Sequence, residues 1–104
     1  MIKKYKIDIT NAALQDMKDL YDHISNVLQA PETALKQYNR IAGRILTLDI
    51  FPERFKLTGC DEIPVLRSMP VDNYLVFFVI TYDRVIVTNV LYSASDIKNR
   101  LIKK

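Results

Sequence analysis

Residues 74–92 read YLVFFVITYDRVIVTNVLY, and this stretch decides the fold. Its first half, residues 74–82, is rich in aromatic and β-branched side chains, which predicts a central strand covered on both faces. The Tyr82-Asp83-Arg84 segment predicts a hairpin turn. The second half alternates, which predicts a strand with two faces. These faces hold Val85, Val87, Asn89 and Leu91 on one side and Ile86, Thr88, Val90 and Tyr92 on the other.

Upstream of these strands, apolar residues recur in steps of three and four, which is the spacing of amphipathic helices. The first set is Leu14, Met17, Tyr21, Ile24 and Leu28, and the second is Ala34, Tyr38, Ile41, Ile45 and Leu48. Pro31 suits the first turn of the second helix, and Phe51-Pro52 ends that helix. The short connection predicts an antiparallel helical hairpin.

The other segments complete the predicted sheet. Residues 5–9 alternate apolar and polar side chains and predict a first strand, after which Thr10 or Asn11 caps the first helix. Residues 63–67 predict a short strand with Pro64 near its start, and residues 69–72 predict a turn. A short basic helix or tail follows residues 93–96.

This order of elements predicts one α+β domain over residues 1–104. We expect an N-terminal strand and a helical hairpin packed on a mainly antiparallel four-stranded sheet, with a short C-terminal helix. The hairpin covers one face of the sheet. Because sheets twist, we expect the other face to be open and concave.

Composition narrows the class of protein. The 104 residues are 49% hydrophobic and carry a net charge of +3, which suits polyanionic partners and also suits a charge that only aids solubility. The single Cys fits a reducing compartment. One Cys and one His make no metal-binding constellation, and we expect neither a metal nor a cofactor. The N-terminal lysines precede no apolar signal segment, and residues 75–80 are too few to span a bilayer. We therefore expect a cytoplasmic protein with no membrane partner.

Three segments carry a resemblance to a known family. They read VLRS at residues 65–68, NYLVFFV at residues 73–79 and VLYSASDI at residues 90–97. Their order and spacing resemble the RelE/ParE toxin superfamily, in which a strand near an arginine precedes a Tyr-Leu-aromatic strand and a final strand ending before an aspartate. The resemblance covers nearly the whole chain, including the helical hairpin and the Phe-Pro that ends it.

The resemblance implies the toxin of a type II toxin–antitoxin or plasmid-stabilisation system, with a cognate antitoxin protein as partner. RelE-like members are metal-independent endoribonucleases that cut mRNA on the ribosome. ParE-like members inhibit DNA gyrase by binding, without catalysis of their own. Both share one fold, so the fold does not choose between them. We expect a ribosome-dependent mRNA interferase, with gyrase inhibition as the alternative and a degenerate, antitoxin-binding toxin as a third hypothesis.

Two positions depart from the family pattern. Ser95 stands where an arginine is common before the final aspartate, and Tyr92 stands where a histidine is common. The missing arginine removes a cation from the expected site and weakens the nuclease hypothesis.

For the nuclease hypothesis, Arg67 and Tyr92 are the candidate catalytic residues. A guanidinium matches phosphate oxygens in pairs, and Arg67 shares a face of its predicted strand with Ile63 and Val65. The Tyr92 phenol is a candidate for proton transfer or for stacking on a base. The structural alternatives are an edge arginine paired with Asp72 and an amphipathic edge aromatic.

Candidate RNA-binding residues lie in two basic segments. Arg54 and Lys56 belong to the loop before the predicted second strand, and Lys98 and Arg100 belong to the C-terminal segment. Both segments also suit the structural alternatives of a solvated loop and a frayed tail. The C-terminal cations equally suit an acidic antitoxin.

Overall fold

The computed structural model describes residues 2–101, with the side chain of Lys98 excepted. The elements are β1 (Lys6–Ile9), α1 (Asn11–Asp22), a π-helical turn (His23–Val27), α2 (Pro31–Leu46), β2 (Arg67–Val71), β3 (Tyr74–Ile80), β4 (Arg84–Tyr92) and α3 (Ile97–Leu101). The sheet has the strand order β1-β4-β3-β2. The strands after the helices run antiparallel, and β1 runs parallel to β4. The predicted α+β fold is confirmed.

The helical hairpin forms where the sequence predicts it. The Thr10 hydroxyl accepts a hydrogen bond from the Ala13 amide at 3.1 Å and caps α1, and Pro31 opens α2. The stripe predicted for the second helix faces the core, with Tyr38 partly buried. The helix itself ends at Leu46 instead of at Phe51-Pro52, and Leu48 is buried in the 3-10 turn Thr47–Asp49 that follows. On α1 the buried face is Ala13, Met17 and Leu20, so the prediction that Leu14 and Leu28 are buried is wrong. Met17 fits either stripe, and packing against both α2 and β4 selects the one that contains Ala13.

The second strand lies later in the chain than predicted. Residues 63–66 form a turn, β2 covers Arg67–Val71, and the turn that follows is Asp72-Asn73. Asp72 has a φ of 56°, a left-handed conformation that aspartate tolerates. Pro70 stands inside this strand because β2 is at the edge of the sheet, where a missing donor is tolerated.

A β-bulge breaks the predicted alternation of β4. Phe77 pairs with Asn89 whereas Phe78 pairs with Val87, so Thr88 has no partner of its own. The extra residue changes the parity of the strand. Val87 and Val90 therefore both face the main core, although the sequence pattern places them on opposite faces.

Both faces of the sheet are covered. The main core joins the helical hairpin to Phe78 and the buried valines of β3 and β4. On the opposite face a smaller core contains Leu66, Phe77 and Leu91, with Ile97 and Leu101 of α3 packed against it. The expectation of an open second face is therefore wrong. This face is covered by α3 and by the loop that precedes β2. Among residues 2–101, every helix is too short or too polar to cross a bilayer.

Candidate functional site

Arg67 lies on the same side of the sheet as the helices. It shares its strand parity with Met69 and Val71, both of which are buried in the main core. Its Nη1 donates to the carbonyl oxygens of Phe55 at 2.6 Å and Glu53 at 3.3 Å. The expectation that Arg67 projects into a hollow on the other face is therefore wrong. The alternative pairing with Asp72 is also absent, since Arg40 Nε contacts Asp72 Oδ2 at 2.8 Å.

Arg54 also donates to backbone carbonyls. Its Nη1 contacts the oxygens of Ile50 at 2.6 Å and Phe51 at 2.9 Å. Phe51 has a φ of 48°, which is rare for a bulky side chain. Arg54 thus fastens the left-handed residue that turns the chain away from α2, and its guanidinium lies 4.5 Å from the centre of the Phe55 ring.

Tyr92 lies at the far end of β4 and contacts Tyr74. The two ring centres are 5.7 Å apart in an edge-to-face arrangement, and Tyr92 is 49% exposed. Burial, with a smaller contribution from Tyr92, raises the pKa of Tyr74 above its ordinary value. Both rings line a cavity of about 620 Å³ between the tip of the helical hairpin and the end of the sheet, and Arg100 lines the same cavity.

Lys56 lies on another part of the surface. It lines a cleft of about 550 Å³ on the face of the smaller core, together with Phe77 and two residues of α3. Arg100 and Tyr92 thus line one cavity, whereas Lys56 lines a different cleft. Lys98 belongs to α3, but its side chain lies outside the described part of the chain.

The two candidate catalytic residues are far apart. Arg67 pairs with Phe78 and Tyr92 pairs with Tyr74, on opposite sides of β3. Four residues along a strand and two strand spacings put their backbones about 16 Å apart. A general acid or base must approach the reacting atoms to about 3 Å. With its guanidinium held by Phe55 and Glu53, Arg67 does not share a reacting phosphate with Tyr92.

Asp16 lies at this cavity and makes contacts that the sequence pattern does not predict. Its Oδ2 accepts hydrogen bonds from the Val90 amide at 2.9 Å and the Asn89 side-chain amide at 3.4 Å. Burial raises the pKa of this carboxyl, although the two hydrogen bonds and Arg100 oppose the rise. Asp16 therefore ties α1 to β4 next to the bulge, beside the cavity that holds Tyr92. Within residues 2–101, no three His, Cys, Asp or Glu side chains are grouped to hold a metal ion.

Comparisons with known proteins give one family and one fold. The model of the family described as the ParE toxin of type II toxin–antitoxin systems, parDE, matches residues 7–97. The structure is similar to a solved chain of the chromosomal ParDE TA system from P. aeruginosa, with a TM-score of 0.73 and 21% sequence identity. The match covers 86% of this chain and 96% of that chain, and at this identity it shows a shared fold. No curated protein matches the sequence.

Proposed function

The chain belongs to the ParE toxin family of type II toxin–antitoxin systems, and from this we propose that it is a toxin that inhibits DNA gyrase by binding it, without a bond-breaking step of its own. A cognate antitoxin protein that neutralises it is the second partner in this proposal. The proposal takes the alternative from the sequence analysis in preference to the mRNA interferase.

The separation of Arg67 from Tyr92 carries this preference. RNA cleavage through the 2′-hydroxyl needs a base, an acid and a cation around one phosphate. Arg67 and Arg54, two of the candidate cations, each donate to backbone carbonyls, which fixes their position away from Tyr92. Of the other candidates, Tyr92 and Arg100 line one cavity, whereas Lys56 lines a different cleft. The side chain of Lys98 lies outside the described part of the chain.

A gyrase assay tests the proposal directly. Purified protein incubated with gyrase, ATP and supercoiled plasmid is expected to accumulate broken plasmid trapped in gyrase complexes, measured on a gel after detergent and protease treatment. Messenger RNA on stalled ribosomes is expected to stay whole at the same protein concentration, measured by mapping its ends. Cut mRNA with unbroken plasmid would overturn the proposal and support the mRNA interferase.

Replacing Tyr92 with phenylalanine is expected to leave growth arrest unchanged. The substitution keeps the ring that contacts Tyr74 and removes only the hydroxyl, so a binding surface persists while an acid or base is lost. A nuclease that used this hydroxyl would slow by about 10²–10⁴-fold. The measurement is colony formation after induction, with an equal amount of soluble protein as the control. Loss of growth arrest in Tyr92→Phe would contradict gyrase inhibition by binding alone.

A further inference from the structure

Positive charge is concentrated at the end of the sheet that carries the β3–β4 turn. Lys6 pairs with Arg84 next to this turn, the Lys6 amide donates to the Asp83 carbonyl at 2.9 Å, and Lys4 bridges to Ile50. Among the described residues, the cations at this end outnumber the acids. The cations are Lys3, Lys4, Lys6, Arg54, Arg67 and Arg84, and the acids are Asp8, Asp49, Glu53 and Asp83. Arg84 pairs with Asp8 at 2.9 Å and Lys4 with Asp49 at 3.9 Å.

Within this end, Lys3, Tyr5 and Tyr82 form what we call the turn cluster. Lys3 Nζ lies 4.6 Å from the centre of the Tyr82 ring and 4.9 Å from that of Tyr5, and it donates to the Tyr82 carbonyl. The Tyr5 hydroxyl donates to Glu53 Oε2 at 2.6 Å, which fixes the second ring. The lysine is thus held between two aromatic rings in a defined position.

Tyr82 is the most exposed large apolar side chain among the described residues, at 89%. A ring at a hairpin turn can be exposed without purpose. Here the ring is also held by a cation and surrounded by a net positive charge. An open aromatic face beside fixed cations is the arrangement that binds an unpaired base together with its phosphate. A base within a duplex has its faces stacked on its neighbours, so a stacking site selects single strands.

We propose that the turn cluster binds single-stranded nucleic acid. One base stacks on the face of Tyr82 that Lys3 leaves free. The flanking phosphates contact Lys6 and the two N–H donors that Lys3 retains beside its bond to the Tyr82 carbonyl. This site is separate from the cavity that holds Tyr92, at the opposite end of β4, and the proposal does not depend on gyrase being the target.

Fluorescence anisotropy with labelled oligonucleotides tests the site. The probes are a 12-nucleotide oligo-dT, an oligo-rU of the same length and a 12-base-pair DNA duplex. We expect both single strands to bind more tightly than the duplex. We expect Tyr82→Ala to weaken single-strand binding by about 5- to 150-fold, the range for one lost base stack. Tyr82→Phe keeps the ring and is expected to bind like the wild type.

Salt dependence tests the cations. Each phosphate contact with a single strand adds about −0.7 to the slope of log K against log [salt]. Lys3→Ala is expected to reduce the slope by about that amount, whereas Lys36→Ala, on the distant helix α2, is expected to leave it unchanged. Equal binding of the duplex, unaltered binding in Tyr82→Ala, or equal effects of Lys3→Ala and Lys36→Ala would overturn the proposal. Since these assays contain neither gyrase nor ribosomes, their failure would not bear on the toxin's target.

Discussion

Replacing Phe78 with alanine is expected to lower the free energy of unfolding by about 3–5 kcal/mol. Phe78 is fully buried at the centre of the main core, in the middle of β3. The centres of the Phe78 and Phe55 rings are 6.1 Å apart in an edge-to-face arrangement. Phe78 therefore also holds the loop that carries Arg54 against the sheet. A small domain is stable by about 5–15 kcal/mol in total, so this loss is a large share of its stability. Urea denaturation followed by circular dichroism measures the change.

Phe77→Ala is the matched control, because the two residues are adjacent and face opposite sides of the sheet. Phe77 is 2% exposed but belongs to the smaller core and lines the cleft of about 550 Å³. The space that Phe77→Ala frees joins the open cleft and leaves no closed cavity. We therefore expect this variant to lower the free energy of unfolding by less than Phe78→Ala does. Equal losses in the two variants would contradict the division into a main and a smaller core.

Replacing Asp16 with alanine is expected to lower the free energy of unfolding by about 1–3 kcal/mol. The carboxylate accepts the backbone N–H of Val90, and Val90 is buried next to the bulge. Alanine leaves that donor without its acceptor, which costs about the desolvation energy of the group. Asp16→Asn keeps an acceptor oxygen in the same place and is the matched control. The measurement is the denaturation midpoint at constant slope.

The same carboxyl gives a pH dependence with a definite sign. Burial raises the pKa of Asp16 in the folded state above the unfolded value of about 3.9. The folded state therefore holds this proton more tightly, and the contribution of Asp16 to stability falls as pH rises from the unfolded pKa through the folded one. Asp16→Asn removes this titration. The stability of the wild type relative to Asp16→Asn is expected to decrease across that acidic range, and an increase would contradict the prediction.

The central strands could be predicted from sequence because their signal is local. The short, apolar run YLVFFVI is typical of a strand that is covered on both faces. The Tyr82-Asp83-Arg84 turn that follows predicts that the next strand pairs with it. The helical hairpin follows in the same way from its apolar spacing and Pro31. These features depend on residues within a few positions of each other, so one sequence contains enough information.

The sequence-based predictions are wrong where a contact between residues far apart in the chain determines the local structure. Pro70 is a turn signal by itself, and only its position on an edge strand makes it acceptable in β2. At the bulge, the Thr88 carbonyl accepts a hydrogen bond from the hydroxyl of the distant Thr10 at 3.1 Å. The alternation of side chains along β4 gives no sign of the contact with Thr10, and the sequence around Pro70 gives no sign that β2 is an edge strand.

The candidate site was harder to predict for the same reason. The residue type and the family pattern make Arg67 a candidate, but the face it occupies follows from its parity with the buried Met69 and Val71, which the sequence predicts as a turn. Lys3 and Tyr82, which form the turn cluster, are 79 positions apart. Their proximity follows from the parallel pairing of β1 with β4, which a reading of local patterns does not supply.

That parallel pairing also determines when the fold can be completed during protein synthesis. β4 lies between β1 and β3 in the sheet, yet it is the last strand to leave the ribosome. Until residues 84–87 have been translated, β1 has no strand to pair with, and the first-made segment must wait for the last-made strand. Such distant pairing slows folding. A translation product that stops before β4 therefore lacks the strand that joins β1 to the β2–β3 pair.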